Sequence, residues 1–422
     1  MKSTALILFV LTYILLLAMP KRRAHVALIF AALFVSFNIL PFNKVFTTID
    51  WNVILMIGGT MGIVELFIAS KMPAYLADLI LQKTPDVKWA IIALSLFASL
   101  ISAFIDNVAT VLIVAPIALD IAKKLKISPV SSVIAIAVAS NLQGAATLVG
   151  DTTSILLGGY ANLDFLDFFF HQGRLGIFWV VQAGAIAATV ILYFILGKHH
   201  EPINAVEITK VNDYIPTYLL LLMIVLLITV SFFPHDIAIM NGLICTILFI
   251  IGVVREYFKT KDTNTFKNAI KSLDYFTITL LMGLFVVVGG LNESGIIHDI
   301  GEIFVRLSNN NLFLIYTLIV WASVLFSAFI DNIPYVATML PVVASIALSM
   351  NVDPNVLYFG LLTGATLGGN LTPIGASANI TAMGMLKRNG YDVKTSQFMK
   401  IGVPYTLAAV IVGYILIWMI WA

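Results

Sequence analysis

SAFIDNVATVLIVAP, residues 102–116, and SAFIDNIPYVATMLP, residues 327–341, are two versions of one segment set 225 residues apart, with 8 of 15 positions identical. Each writes an Asp-Asn pair, Asp106-Asn107 and Asp331-Asn332, into apolar sequence. The same offset lays Ser128-Pro129 over Asp353-Pro354, Gly144 over Gly369, Thr147 over Thr372 and Gly150 over Gly375. Upstream, Ile49-Asp50 matches Leu273-Asp274 at an offset of 224. A gap-free match over about 50 residues marks an internal duplication.

Of the 422 residues, 60% are hydrophobic and 11% charged, with a mean hydropathy of +1.01. That balance excludes a soluble domain, and the lack of short alternating strands excludes a membrane β-barrel. Apolar runs of about 16 to 20 residues recur, the length a helix needs to cross a bilayer. They fall at 4–19, 25–40, 51–69, 90–122 (a pair), 130–160, 175–197, 216–233, 238–254, 275–291, 312–350 (a pair), 356–385 and 403–421. The first run lacks a small-residue cleavage site and leads straight into KRR, so it reads as a retained helix. The single Cys245 excludes an internal disulfide. The polar stretch 198–215 separates a first repeat, 1–197, from a second, 216–422.

Loops 20–24, 70–89, 123–129, 198–215, 255–274 and 386–402 hold 20 of the 24 Lys and Arg. By the positive-inside rule these loops are cytoplasmic and both termini lie outside. The bias leaves open whether each paired segment is two spans or a re-entrant hairpin. The Asp-Asn near the middle of each pair is the mark of a hairpin tip. The expected fold is therefore an all-α polytopic membrane protein of two inverted repeats, each with five spans and one hairpin. Residues 140–154, SNLQGAATLVGDTTS, and 365–379, ATLGGNLTPIGASAN, read as breaks in helices. Non-helical backbone at bilayer depth is tolerated only where it lines protein or a cavity. Inverted repeats with broken helices are the plan of secondary transporters, with the site at the repeat interface.

An Asp at mid-bilayer costs roughly 2.5–3.5 kcal/mol, so two of them need a reason. Asp106, Asn107, Asp331 and Asn332 form a set of oxygen ligands for a hard metal cation, or carry protons. Asp and Asn are also good helix caps, and both roles can hold together. Asp151, in GDTTS, is a third carboxylate whose repeat counterpart is Ala376. Neutral oxygens come from Asn141, Gln143, Thr147 and Thr152 in one break and from Asn370, Thr372, Ser377 and Asn379 in the other. Glu65 reads as a structural hydrogen-bonding group within its span. The histidines fall in loops or at a span end, and no Lys or Arg falls mid-span to hold an anion. The pattern calls for no cofactor and no nucleic acid; the implied partners are the lipid bilayer and a small ion or solute.

SAFIDNVAT, GAATLVGDTTS, SAFIDNIPYVATMLP and LGGNLTPIGASANITAMG, in that order, resemble the arsenite permease and sodium–proton antiporter branch of the ion transporter superfamily. That branch includes the melanosomal P protein and is related to citrate and dicarboxylate carriers. The resemblance covers essentially the whole chain. It implies an elevator carrier, with hairpins and broken helices in a mobile domain and the early helices of each half in a scaffold that dimerises. Where the dicarboxylate branch has Ser-Asn-Thr tips, this chain has Asp106-Asn107-Val108 and Asp331-Asn332-Ile333. Acidic tips disfavour a di- or tricarboxylate substrate.

The function expected is ion-coupled secondary transport, most concretely sodium–proton exchange. The alternative is a permease for an oxyanion, a neutral oxyacid such as arsenite, or a citrate-like anion. An intramembrane aspartyl protease would carry Gly-x-Gly-Asp, and Val149-Gly150-Asp151 lacks the first glycine. A channel would need a continuous pore instead of two closed hairpins.

Overall fold

The structure, a computed structural model, describes residues 2–197, 208–233, 237–261 and 264–422. His199, His200, His235 and residues 198–207 of the expected linker lie outside the described residues. The first half runs α1 (Lys2–Ala18), α2 (Arg23–Ser36), α3 (Val45–Thr48), α4 (Trp51–Ala69), α5 (Met72–Leu81), α6 (Val87–Ser102), α7 (Asn107–Leu125), α8 (Val130–Gln143), α9 (Thr152–Ala161) and α10 (Ile177–Ile195). The second runs α11 (Ile215–Val230), α12 (Met240–Thr260), α13 (Asn264–Ser272), α14 (Tyr275–Glu293), α15 (Ile296–Leu307), α16 (Leu312–Ser327), α17 (Asn332–Met350), α18 (Asn355–Gly368), α19 (Ser377–Arg388) and α20 (Thr395–Trp421). Among the described residues the one sheet is a hairpin of Phe170–His171 with Arg174–Leu175.

The helix starts repeat because their caps repeat. Asp50 accepts the Val53 N–H at the start of α4, and Asp274 accepts the Thr277 N–H at the start of α14. Asp106 and Asp331 cap α7 and α17 in the same way. Each takes up amides that no helix carbonyl can reach. Both predicted pairs are two helices broken at the Asp-Asn, and both predicted breaks separate two helices, α8 from α9 and α18 from α19. Asp151 caps α9, whereas α19 begins after Ala376 with no side-chain cap.

α2 packs along α14, and α12 packs along α4, so each half's opening helices cover the other half. Small residues allow this approach. A Cβ on Gly283 would lie 2.6 Å from the Ala27 backbone, and one on Gly59 would lie 2.4 Å from that of Cys245. α10 lies against α20, while α6 with α8 and α16 with α18 form matching pairs.

Three expectations change. Among the described residues six helices, α4, α10, α12, α14, α17 and α20, are each long and apolar enough to cross a membrane, and two bent pairs bring the number up to eight if each is one span. Ten full spans were expected from run length, which counts residues and ignores direction; the all-helical multi-span plan itself is as expected. The chain turns by 115° between α1 and α2, at a short 3-10 turn over Pro20–Arg22, and by 117° between α15 and α16. Second, KRR is no simple solvated loop. Arg23 turns inward onto Asp331, with both side chains close to 90% buried. Lys88 is also buried, its ammonium 3.2 Å from the Tyr193 ring centre. Third, the described end of the linker is docked: Thr209 N–H donates to Asp78 Oδ2 at 2.8 Å, and Asn212 N–H to the Ser70 carbonyl at 2.9 Å.

Candidate functional site

Each tip spends one carboxylate oxygen on the backbone. Asp106 Oδ1 accepts the N–H groups of Val108 and Ala109 at 2.9 and 3.2 Å, and Asp331 Oδ1 accepts that of Ile333 at 3.1 Å. The second oxygens differ. Asp331 Oδ2 accepts the Ser377 hydroxyl and the Arg23 guanidinium, both at 3.1 Å. Among the described residues nothing donates to Asp106 Oδ2.

The two breaks are fastened to the tips by matching bonds. Thr147 donates its hydroxyl to the Ala103 carbonyl, and Thr372 donates to that of Ala328. Ser154 Oγ donates to the Gly144 carbonyl at 2.9 Å, and Asn379 Nδ2 to that of Gly369 at 3.0 Å. Gly150 sits against the carbonyls of Gly144, Ser102 and Ala103; Gly375 sits against those of Gly369, Ser327 and Ala328. Each break is thus a cradle of carbonyl oxygens closed on a hairpin tip. The halves interlock at the centre. Asn107 Nδ2 donates to Asn141 Oδ1 at 2.9 Å, and Asn141 Nδ2 to the Thr366 carbonyl at 2.7 Å. Asn370 Nδ2 donates to the Val138 carbonyl at 2.8 Å, and Asn332 Nδ2 reaches Asp151 Oδ2 at 3.4 Å.

Between the tips, α4 and the start of α14 lies a cavity of about 320 Å³. Its polar lining is Glu65, Asp106, Asn107, Asp151, Thr152, Asp274, Thr277, Asn332 and Ser377, with no Lys, Arg or His among the described residues. Four carboxylates on low-dielectric walls focus a field that gathers cations and repels anions.

The family profile described as citrate transporter, CitMHS, matches residues 13–364. The chain belongs to this citrate transporter family. Similar proteins include an uncharacterized transporter of Mycobacterium tuberculosis, 30% identical over 435 residues that cover 99% of this chain and 98% of that one. Human P protein is 26% identical over 492 residues, covering 97% of this chain and 58% of that protein. In fold the CitMHS chain is similar to the YdaH transporter of Alcanivorax borkumensis, with a TM-score of 0.62 at 13% identity over 89% of this chain and 87% of that one. Neisseria gonorrhoeae MtrF gives 0.56 at 16% identity over 89% and 82%. Membership makes the chain a secondary transporter, a multi-pass membrane protein and not an enzyme.

In this CitMHS transporter the residues singled out from sequence take three places. Asp106, Asn107, Asp151, Thr152, Asn332 and Ser377 line the cavity. Asp331 stands just behind, bonded to Ser377 and Arg23. Asn141, Thr147, Asn370, Thr372 and Asn379 are engaged in the supporting frame and are not part of the lining. Asn379 Oδ1 is buried there with no partner among the described residues. Two lining acids were passed over in the sequence. Glu65 read as a structural group, and Asp274 stood out only as the repeat mate of Asp50. The expectation that no Lys or Arg stands at depth is corrected by Arg23, which reaches Asp331 from the start of α2 and whose place in a basic cluster beside an apolar run disguised it.

Proposed function

We propose that this CitMHS transporter is an ion-coupled carrier of the cytoplasmic membrane that exchanges a small cation, sodium most concretely, for protons. The observation that carries the reading is the cavity lining, with Glu65, Asp106, Asp151 and Asp274 and no basic side chain among the described residues. Carboxylates and amide oxygens suit a hard cation, and protons compete for the same oxygens. Asp106, Asn107, Asp331 and Asn332 supply the cation ligands, with Asp151 as a shared proton or cation site. The repeats 1–197 and 216–422 are inverted, with both termini outside, and the hairpins and broken helices move as one body past α2, α4, α12 and α14 in an elevator cycle within a homodimer. The motifs support placing the chain with the arsenite permease and sodium–proton antiporter branch of the wider superfamily.

A second reading is permeation of a citrate-like anion or a neutral oxyacid such as arsenite, driven by sodium or protons. The family's description and a tip-bound Arg23 favour it. The two separate in liposomes holding purified protein and a trapped pH dye. Sodium and lithium should change internal pH, while citrate and arsenite should not. A response to citrate or arsenite without one to sodium would overturn the exchange reading.

A further inference from the structure

The two tips share sequence and cap but not surroundings. Asp106 lines the acidic cavity, near Glu65 and Asp274. Asp331 has a fixed cation against it: Arg23 Nη1 lies 3.1 Å from Oδ2, with side-chain exposures of only 12% and 11%. The arginine is itself held. Its Nε–H donates to the Leu16 carbonyl at 3.1 Å, across the bend between α1 and α2.

The repeat shows what stands at the matching place. α2 lies on α14 as α12 lies on α4. Gly283 meets Ala27 where its counterpart Gly59 meets Cys245. Counting back four residues from Ala27 and from Cys245 pairs Arg23 with Asn241. Asn241 is neutral and 6% exposed, and its Oδ1 has no partner among the described residues. It borders a second cavity of about 580 Å³, beside Asp50, the counterpart of Asp274. The fold thus offers two equivalent places for a counter-charge and fills one.

We propose that Arg23 is a displaceable counter-cation that occupies Asp331 only while the site faces the α14 start, so that arrival there expels a cation and departure requires one. This rests on the elevator reading above. Asp331 belongs to the moving tip and Arg23 to the stationary frame, so the pair must part when the tip crosses. No arginine waits on the other side, where the matching position is Asn241. A carboxylate that loses its partner in a low-dielectric setting must gain another, because a lone buried charge is strongly disfavoured. The transported cation takes the place that Arg23 vacates. Arg23 is therefore a positioning residue that makes the two faces unequal in cation affinity.

The test reads the position of the tip and needs no knowledge of the transported ion. In a Cys245→Ser background, Val108→Cys marks the first tip, where it lines the cavity. An impermeant thiol reagent is added from the Lys124 side in choline buffer. Arg23→Gln should slow labelling about tenfold, since the empty carrier loses its resting contact at that face. Arg23→Lys should recover part of the rate, leaving it about threefold below the parent, and serves if Arg23→Gln does not fold. With Asp331→Asn present, Arg23→Gln should change nothing. Equal rates with and without Arg23, or an equal change in the Asp331→Asn background, would overturn the proposal. Sodium-driven pH change in the parent protein is measured in parallel. If that flux is intact and Arg23 has no effect, the proposal alone falls. If Arg23 acts and sodium does nothing, the sodium reading falls and the counter-cation stands.

Discussion

At the scale of single residues, Asp106 and Asp331 each do two jobs that asparagine can separate. Asn caps a helix about as well as Asp but carries no charge. Asp106→Asn should reduce cation-driven flux to the background of empty liposomes and change stability by less than about 0.5 kcal/mol. Asp331→Asn should lose flux too, but it also strands Arg23, so its stability should fall further, by about 1–3 kcal/mol. Normal flux in both variants, measured with the trapped dye, would reduce the tips to caps. The cradle glycines give a second expectation. A Cβ on Gly375 would meet the carbonyl oxygens of Gly369, Ser327 and Ala328 at 2.6, 2.6 and 2.8 Å, and the corresponding contacts of Gly150 are 2.8, 3.0 and 3.0 Å. Backbone carbonyls cannot swing aside as a flexible side chain can. Gly375→Ala and Gly150→Ala should each cost roughly 1–3 kcal/mol, with Gly375→Ala the worse, and thermal unfolding in detergent measures both. Asp106, Asp331 and the cradles were legible in the sequence because each occurs twice at one offset. Arg23 was not, because its repeat counterpart is the neutral Asn241 and it sits among basic neighbours that read as a loop.

At the scale of elements, the joint between residues 208–214 and α12 carries its own expectation. Asp213 pairs with Arg255 and, at 2.7 Å, with Lys259. Burial alone would raise its carboxyl, but hydrogen bonds from Arg255 and Lys259 outweigh that and hold it well below the usual carboxylate range. A folded-state value below the unfolded one means stabilisation that is fully present above about pH 4 and lost as pH falls through the folded value. Asp213→Ala should therefore cost about 1 kcal/mol at pH 7 and the same at pH 5. A cost that vanished between those pH values in thermal unfolding would contradict the pairing. Hairpins and broken helices could be read in advance because Asp-Asn, Gly and Thr clusters interrupt otherwise apolar runs. The bends at α1–α2 and α15–α16 could not, since an apolar run fixes how many residues avoid water and not which way they point. Asp274 shows the same limit. A lone Asp before an apolar run reads as a cap, which it is, and only packing reveals that it also borders a cavity.

At the scale of the whole molecule, charge bias gives an orientation that reagents can check. With Cys245→Ser, cysteines at Lys124 and Lys387 should react with an impermeant thiol reagent from the cytoplasmic side only. Labelling of either from outside would reverse the orientation proposed above. The duplication was visible from sequence at this scale, but the way its halves clasp each other was not, because no single helix records which partner it will meet. That clasp has a consequence for how the chain is made. The face of α2 that meets Gly283 at Ala27 leaves the ribosome about 250 residues before its mate, a delay of roughly 10 to 50 s at about 5–20 residues per second. The bare seam of α4 at Gly59 waits in the same way for Cys245. Until then the nascent first half is an orphan in lipid, dependent on the insertion machinery to shelter it. A polypeptide stopped at residue 197 should accordingly be cleared by membrane quality control within minutes in a pulse-chase, while the full chain persists for hours.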